Sequence, residues 1–330
     1  MIFKILFIPR RETTKILKSK LDNFFKAKIL AVINRINTLA IIKRAGSGHV
    51  GTSFSAMDIF TWVKYFSFVT LKKDLKKEER NIFFSSKGHD VPALYSILYS
   101  LKIISLDKIL KLRRISGLDG HPDISIPGIE ANTGSLGMGI SKAKGIVWSK
   151  RYLKKKGQVI VLIGDGEFQE GQIFEALQTT AHQKLNEVIV IMDHNKIQSS
   201  QYVSKIINLR DLEKKISSFG WHVERCNGHS FKEINKVFKK FIKIKNKPKF
   251  LIADTIKGKG VSFMEHPKVM KKSSLYNWHA GAPGDIDFVT AQEELLKKLN
   301  SLLTLKKLKS LKTLDIYKNQ KINFQSLEIH

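Results

Sequence analysis

Residues 159–197 read VIVLIGDGEFQEGQIFEALQTTAHQKLNEVIVIMDHNKI. The runs Val159–Ile163 and Val188–Ile191 are short, β-branched and apolar without alternation, the pattern of strands buried on both faces. Between them, Gly171 to Lys184 has helical spacing, with Ile173, Phe174 and Leu177 on one side. Strand, helix and strand in so few residues imply a right-handed parallel crossover. A further run, Phe250–Ala253, adds another buried strand. The expected fold class is α/β: a doubly wound, mainly parallel sheet with helices on both faces.

Towards the N-terminus, apolar residues recur at helical spacing from about Ile16 to Arg44 and stop at Ala45-Gly46-Ser47-Gly48, a glycine-rich turn that presents His49. Further helices are predicted near Ala56–Phe66 and near Ala93–Leu101, the latter just after Ser86-Lys87-Gly88-His89. Beyond Leu295 the chain is rich in lysine and leucine, with helical character to about Leu311. No repeat or low-complexity linker divides it. The expected organisation is a leader over 1–15, loosely held, one principal domain over 16–295, and a basic tail over 296–330.

The 330 residues are 42% hydrophobic and carry a formal charge of +29. That surplus would suit nucleic acid if it were clustered, but lysines are scattered from Lys4 to Lys321, with only short runs such as Lys154-Lys155-Lys156. Nucleic acid is therefore not an expected partner, although a basic field would attract anionic sugar phosphates. The segment Met1–Ile8 is broken by Lys4 and lacks a cleavage pattern, and it is far below the roughly 20 apolar residues of a membrane span. With Cys226 the single cysteine, no internal disulfide forms. A cytoplasmic protein that does not enter membranes is expected.

In parallel α/β sheets, ligands collect outside the carboxyl ends of the strands. One such end runs into Gly164-Asp165-Gly166 and the next into Asp193-His194-Asn195-Lys196-Ile197, so Asp165 and Asn195 should share an edge. A carboxylate, an amide oxygen and a nearby main-chain carbonyl form a hard oxygen set suited to Mg²⁺, with Ca²⁺ or Mn²⁺ as substitutes, and they leave coordination positions for a phosphate. The glycines allow close backbone approach, and the following helix points its N-terminus at that charge. Alone, Gly-Asp-Gly is a common turn. Its coupling to Asn195 across a strand-helix-strand unit is what gives it weight.

The pairing of Gly164-Asp165-Gly166 with Asn195 resembles the thiamine diphosphate signature, and the longer stretch through Gly171 resembles transketolases. Agreement continues, in order, at Gly46-Ser47-Gly48-His49, Ser86-Lys87-Gly88-His89, Gly120-His121-Pro122, Thr133 to Gly139, Gly258-Lys259-Gly260 and Trp278-His279, over about residues 20–285. The resemblance implies that Asp165, Asn195 and the main-chain oxygen of Ile197 hold the metal. Gly166 would contact the diphosphate and Gly134, Ser135 and Leu136 would lie along the cofactor. Glu170 would sit at a subunit interface. It further implies that His49, His89, His121 and His279 occupy active-site positions, since imidazoles near neutrality can hydrogen-bond sugar hydroxyls and relay protons. His279 and His49 are expected to move protons, with His89 nearer the diphosphate and His121 nearer the substrate. The remaining histidines, His182, His194, His222, His229, His266 and His330, are expected to be ordinary turn residues.

Transketolases are usually about twice this length, and their second domain binds the pyrimidine ring. The resemblance therefore implies a separate C-terminal subunit carrying that domain, in a hetero-oligomer such as a heterotetramer, transferring a two-carbon ketol unit between sugar phosphates. Two departures stand out: Val50, where the family commonly has proline or another small residue, and a long segment from Lys268 to Tyr276. Competing expectations are the α subunit of a 2-oxoacid dehydrogenase, a basic nucleic-acid-binding protein, and a silent scaffold on the same fold. The four histidines and Gly258-Lys259-Gly260 oppose the first; Asp165, Asn195 and Glu170 make the last less attractive.

Overall fold

The computed structural model describes residues 3–67 and 80–317. In chain order these form β1 (Leu6–Phe7), α1 (Arg10–Lys18), α2 (Asn23–Ala45), α3 (Val50–Tyr65), β2 (Ile82–Ser85), α4 (Val91–Ser100), α5 (Leu106–Leu110), α6 (Gly139–Tyr152) and β3 (Val159–Gly164). After a single 3₁₀ turn, Glu167–Gln169, follow α7 (Gly171–His182), β4 (Val188–His194), β5 (Ile197–Gln198), β6 (Gln201–Tyr202), α8 (Val203–Ile206), α9 (Leu212–Ser218) and β7 (His222–Asn227). The chain closes with α10 (Phe231–Phe241), β8 (Lys249–Asp254), α11 (His266–Lys272), α12 (Asp285–Leu305) and β9 (Leu314–Asp315).

The central sheet has the order β2-β3-β4-β8-β7 and is parallel throughout. Side chains alternate across a strand, and here each set enters a separate core. Ile160, Leu162, Ile189, Ile191 and Leu251 pack on the side of α2, α3, α4, α10 and α12. Val159, Val161, Ile163, Val190 and Phe250 pack on the side of α6, α7 and α9. This two-sided burial explains why β3, β4 and β8 read as unbroken apolar runs. In register, Gly164 stands opposite Asp193, so the turns after β3 and β4 leave the sheet at the same level.

Three expectations are corrected. The helix predicted from about Ile16 to Arg44 is two helices, because the chain breaks at Ser19–Asp22 and Asp22 restarts it by accepting a hydrogen bond from the amide of Phe25 at 3.0 Å. Nor is the segment before it loose. Phe7 and Ile8 are fully buried, β1 pairs with β9, and Asn37 both donates to and accepts from the backbone of Ile8, at 3.0 and 2.7 Å. Those two bonds satisfy backbone groups that burial would otherwise leave costly. The first part of the expected basic tail completes α12, which ends at Leu305 rather than near Leu311. Its last residues, including Lys321 and His330, lie outside the described ones.

Candidate functional site

A cleft of about 290 Å³ opens at the carboxyl edge of the sheet, and His49, His89, His121, Gly134, Leu136, Asp165, Gly166, Asn195, Ile197 and His279 all line it. Of the residues singled out from sequence, Ser135 and Glu170 do not. Both are exposed beside it, Glu170 as the residue preceding α7. The loops meet closely. Gly88 has φ +71°, and a Cβ there would lie 2.8 Å from the backbone of Gly134, itself at φ +132° and facing the His121 ring. Only glycine fits such a left-handed, crowded pair. A Cβ on Gly166 would meet Gln198 at 2.8 Å, so the backbone is bare where the turn faces the cleft.

Asp165 and Asn195 stand on neighbouring strand ends. The Asp165 carboxylate accepts from the amides of Gly166, at 2.8 Å, and Lys196. Asn195 Oδ1 accepts from the amide of Ile197 at 3.0 Å while its Nδ2 donates to Asp193 at 3.2 Å, which fixes the amide with its oxygen toward the loop. Burial pushes the Asp165 carboxyl above its ordinary range; among the described residues, no cation is paired with it. The described residues contain no group of three or more His, Cys, Asp and Glu suited to a metal. The available set is one carboxylate, one amide and one carbonyl, which fits a hard cation that keeps water or takes phosphate oxygens.

Beneath this rim lies a saturated floor. Lys87 Nζ donates to Asp193 at 2.7 Å and to Thr52 at 3.1 Å, and lies 3.3 Å from Asp90. Burial alone would lower its pKa, but the two carboxylates outweigh that and hold it above the ordinary lysine value. Burial would likewise raise Asp193; Lys87, Ser55 and Thr255 overcome it and hold the carboxyl low. Glu167, fully buried, ties three segments together by accepting from Ser86, Gly137 and Gly164.

The histidines form a cluster on the other wall. Ring centroids are 5.1 Å apart for His49 and His89, 5.2 Å for His49 and His279, and 5.7 Å for His89 and His279. Burial, with Arg113 second, pulls His49 to about 4, and burial with Lys257 pulls His279 to about 3. His89 and His121 are lowered by the same desolvation, helped by Lys87 and Arg113 respectively. At neutral pH all four rings are uncharged, and His49 Nδ1 is buried without a hydrogen-bond partner among the described residues. An incoming anion would favour their protonated forms and draw these values back up.

Lys257 was not visible in the sequence as a site residue. Its ammonium is buried, 3.3 Å from His279 Nδ1, and donates to the carbonyls of Ile197 at 3.2 Å and Ser199 at 3.1 Å. Burial lowers its pKa to about 7. It therefore shares the carbonyl that the resemblance assigns to the metal; a carbonyl has two lone pairs, so both can be served. The segment from Lys268 folds as α11 and brings Tyr276 across this lysine, ring centroid 5.3 Å from Nζ. Val50 is buried at the first turn of α3.

Four of the histidines left aside have partners of their own. His194 bonds to Asp254 and His229 to Asp58, both at 2.7 Å, and His222 bonds to Glu224 at 3.2 Å. His266 accepts from the amide of Lys257 at 3.2 Å. Among the described residues, no helix is long and apolar enough to cross a membrane.

Residues 27–277 match the family described as "Transketolase, thiamine diphosphate binding domain". The chain is 34% identical over 271 residues to an apulose-4-phosphate transketolase subunit of Phocaeicola vulgatus, covering 82% of this chain and 93% of that one. It is 36% identical over 231 residues to the 6-deoxy-6-sulfo-D-fructose transketolase subunit SqwG of Clostridium sp. (strain MSTE9), covering 69% and 84%. Among solved structures, transketolase from Campylobacter jejuni superimposes with a TM-score of 0.73 at 25% identity, covering 87% of this chain and 48% of that one. The chain thus spans about half the length of that solved transketolase.

Proposed function

This chain belongs to the transketolase thiamine diphosphate-binding family, and we propose that it is the diphosphate- and metal-binding subunit of a two-chain transketolase that moves a two-carbon ketol unit from an anionic ketose to an aldose. The observation that carries this reading is the level exit of Asp165 and Asn195 from β3 and β4, facing a cluster of uncharged imidazoles. Two relatives are named for a phosphorylated and a sulfonated sugar, which supports a substrate with an anionic tail, and the formal charge of +29 would steer it.

Bound thiamine diphosphate supplies the carbanion stabilisation that breaking a carbon–carbon bond beside a carbonyl requires. In this reading Asp165, Asn195 and the Ile197 carbonyl hold Mg²⁺, or Ca²⁺ or Mn²⁺ in its place. Gly166 admits a diphosphate against bare backbone, and Gly134 to Leu136 border the cofactor. Lys257 adds positive charge next to the metal oxygens. His89 lies toward the diphosphate and His121 toward the sugar. His49 and His279 hold and move protons at the sugar hydroxyls, for which an imidazole must be neutral in one step and protonated in the next. Glu170, exposed beside the cofactor loop, is placed to meet a neighbouring subunit.

Three relatives are named as transketolase subunits rather than as whole enzymes. Those names support a second chain, which we assign the pyrimidine-binding domain, in a hetero-oligomer such as a heterotetramer. A reducing cytoplasm suits the one buried cysteine. The test is two-carbon transfer by the co-purified pair against each chain alone. Turnover that needs both chains, and that His49→Ala with His279→Ala abolishes, is expected; unchanged transfer in that double variant, or full turnover by this chain alone, contradicts the assignment.

A further inference from the structure

Behind the turn that carries Lys257 lies a second cavity, of about 170 Å³, walled by α2, α12 and the Gly258–Gly260 turn. At its base Arg35, itself buried, donates through both terminal nitrogens to Asp58 at 2.9 and 2.8 Å, and once more to the Phe54 carbonyl. Asp58 also takes the Nδ1 bond of His229, whose Nε2 accepts from the amide of Ile256 at 2.8 Å. Among the described residues, the only carboxylate lining the cavity is therefore spent. Arg35 Nε, in contrast, is buried with no hydrogen-bond partner among them. It faces Gly260, where a Cβ would come within 3.2 Å of it and 2.9 Å of Arg35 Cδ.

Three further cations line the same space: Lys28, Lys259 and Lys298. Lys259 lies 3.3 Å from Glu265. Lys28 and Lys298 form no ion pair among the described residues. The Lys298 ammonium is held below its ordinary value by burial first, then by repulsion from Arg35 and Lys259, against the smaller pull of Asp58 and Glu265, in keeping with the three positive groups lining one cavity. Two of these cations already have a carboxylate, but the desolvated Arg35 N–H has no acceptor among the described residues, and an anion placed between it and the lysines would supply one.

We infer that this cavity is a second anion site, separate from the cleft, which takes a phosphate-sized group on Arg35 Nε, Lys259 and Lys298 with Lys28 at its mouth. Its volume lies below the range of pockets that hold larger ligands, so the occupant is inorganic phosphate or the phosphate group of an ester whose remainder stays outside. The occupied site abuts the turn that begins with Lys257. Its existence does not depend on the proposed reaction.

The test is calorimetric titration of the full chain with inorganic phosphate, in the presence of Mg²⁺ and thiamine diphosphate to fill the cleft, repeated with a sugar phosphate to separate the two sources. Saturable binding is expected, weakened at least tenfold by Lys28→Gln with Lys298→Gln. The charge-matched control Lys236→Gln with Lys239→Gln, on the outer face of α10, should leave it unchanged. Equal affinity in the cavity variant and the wild type, equal losses in both variants, or no saturable binding of either inorganic phosphate or the sugar phosphate by the wild type would overturn the inference. A sugar phosphate that binds while inorganic phosphate does not would overturn the free-anion form of it. Failure of the proposed function shows separately, as absence of thiamine diphosphate binding by the co-purified pair of chains with the phosphate result intact.

Discussion

Two aspartates stand at the ends of adjacent strands, both buried, and their surroundings push them in opposite directions. Asp193, on β4, is met by Lys87, Ser55 and Thr255 and is held below the ordinary carboxylate range. Asp165, the residue after β3, receives two backbone amides but no paired cation among the described residues, and is held above it. The floor of the cleft balances its own charges by direct ion pairs, whereas at the rim Lys257 acts on Asp165 only through space and donates to the Ile197 carbonyl instead. The difference separates two roles in this fold: a saturated buried ion pair fixes the loops, and beside it a carboxylate in no ion pair among the described residues faces the cleft, where the proposed function gives it a metal to hold.

The largest expected effect tests the floor. Asp193→Asn leaves Lys87 buried with only Asp90 nearby, and breaking a buried pair in this way costs about 3–5 kcal/mol; denaturant unfolding should show it. Asp165→Asn keeps an acceptor for one of the two amides, which reach different carboxylate oxygens, and removes a desolvated charge, so its loss in the same measurement should be smaller, about 1–2 kcal/mol. Similar losses in both would remove the contrast.

How visible this contrast was beforehand depends on chemistry. Asp165 and Asn195 could be read because β3 and β4 are buried on both faces and print as unbroken apolar runs, which locates their ends. β2 went unread because its four residues lead straight into a polar turn, and β7 because it is an edge strand, His222-Val223-Glu224-Arg225-Cys226-Asn227, that exposes one side. Lys257 and Lys87 were hidden among 58 basic residues, since nothing local marks a lysine that only tertiary contacts bury. The packed start of the chain was missed for a similar reason: its partner, β9, lies at the far end of the described residues.

Glu167→Gln sharpens the comparison next. An amide has one accepting oxygen where the carboxylate has two, so one of the three donors from Ser86, Gly137 and Gly164 loses its partner, at about 1–3 kcal/mol. Lys257→Met should change unfolding less, because it also removes a desolvated charge, while weakening diphosphate affinity about tenfold, or about 1.4 kcal/mol.

The smallest effect is a pH dependence. Because the folded carboxyl of Asp165 is raised above 3.8, it binds its proton more tightly in the native state; its cost is present above the folded value and disappears as pH falls below the unfolded one. A divalent cation stabilises only the ionised form. Mg²⁺ should therefore raise the melting temperature by a few degrees at pH 8 and by less at pH 5, and not at all in Asp165→Asn. Asp193 runs the other way: its contribution is present above 3.8 and lost as pH falls through its lower native value.

The measurement that bears most directly on the account is thiamine diphosphate binding by calorimetry to the co-purified pair of chains, with and without Mg²⁺, in wild type and Asp165→Asn. The account predicts tight binding that needs the metal and falls more than about a hundredfold in the variant, a loss of about 2.7 kcal/mol or more. Binding that is indifferent to Mg²⁺ and to Asp165 would contradict it.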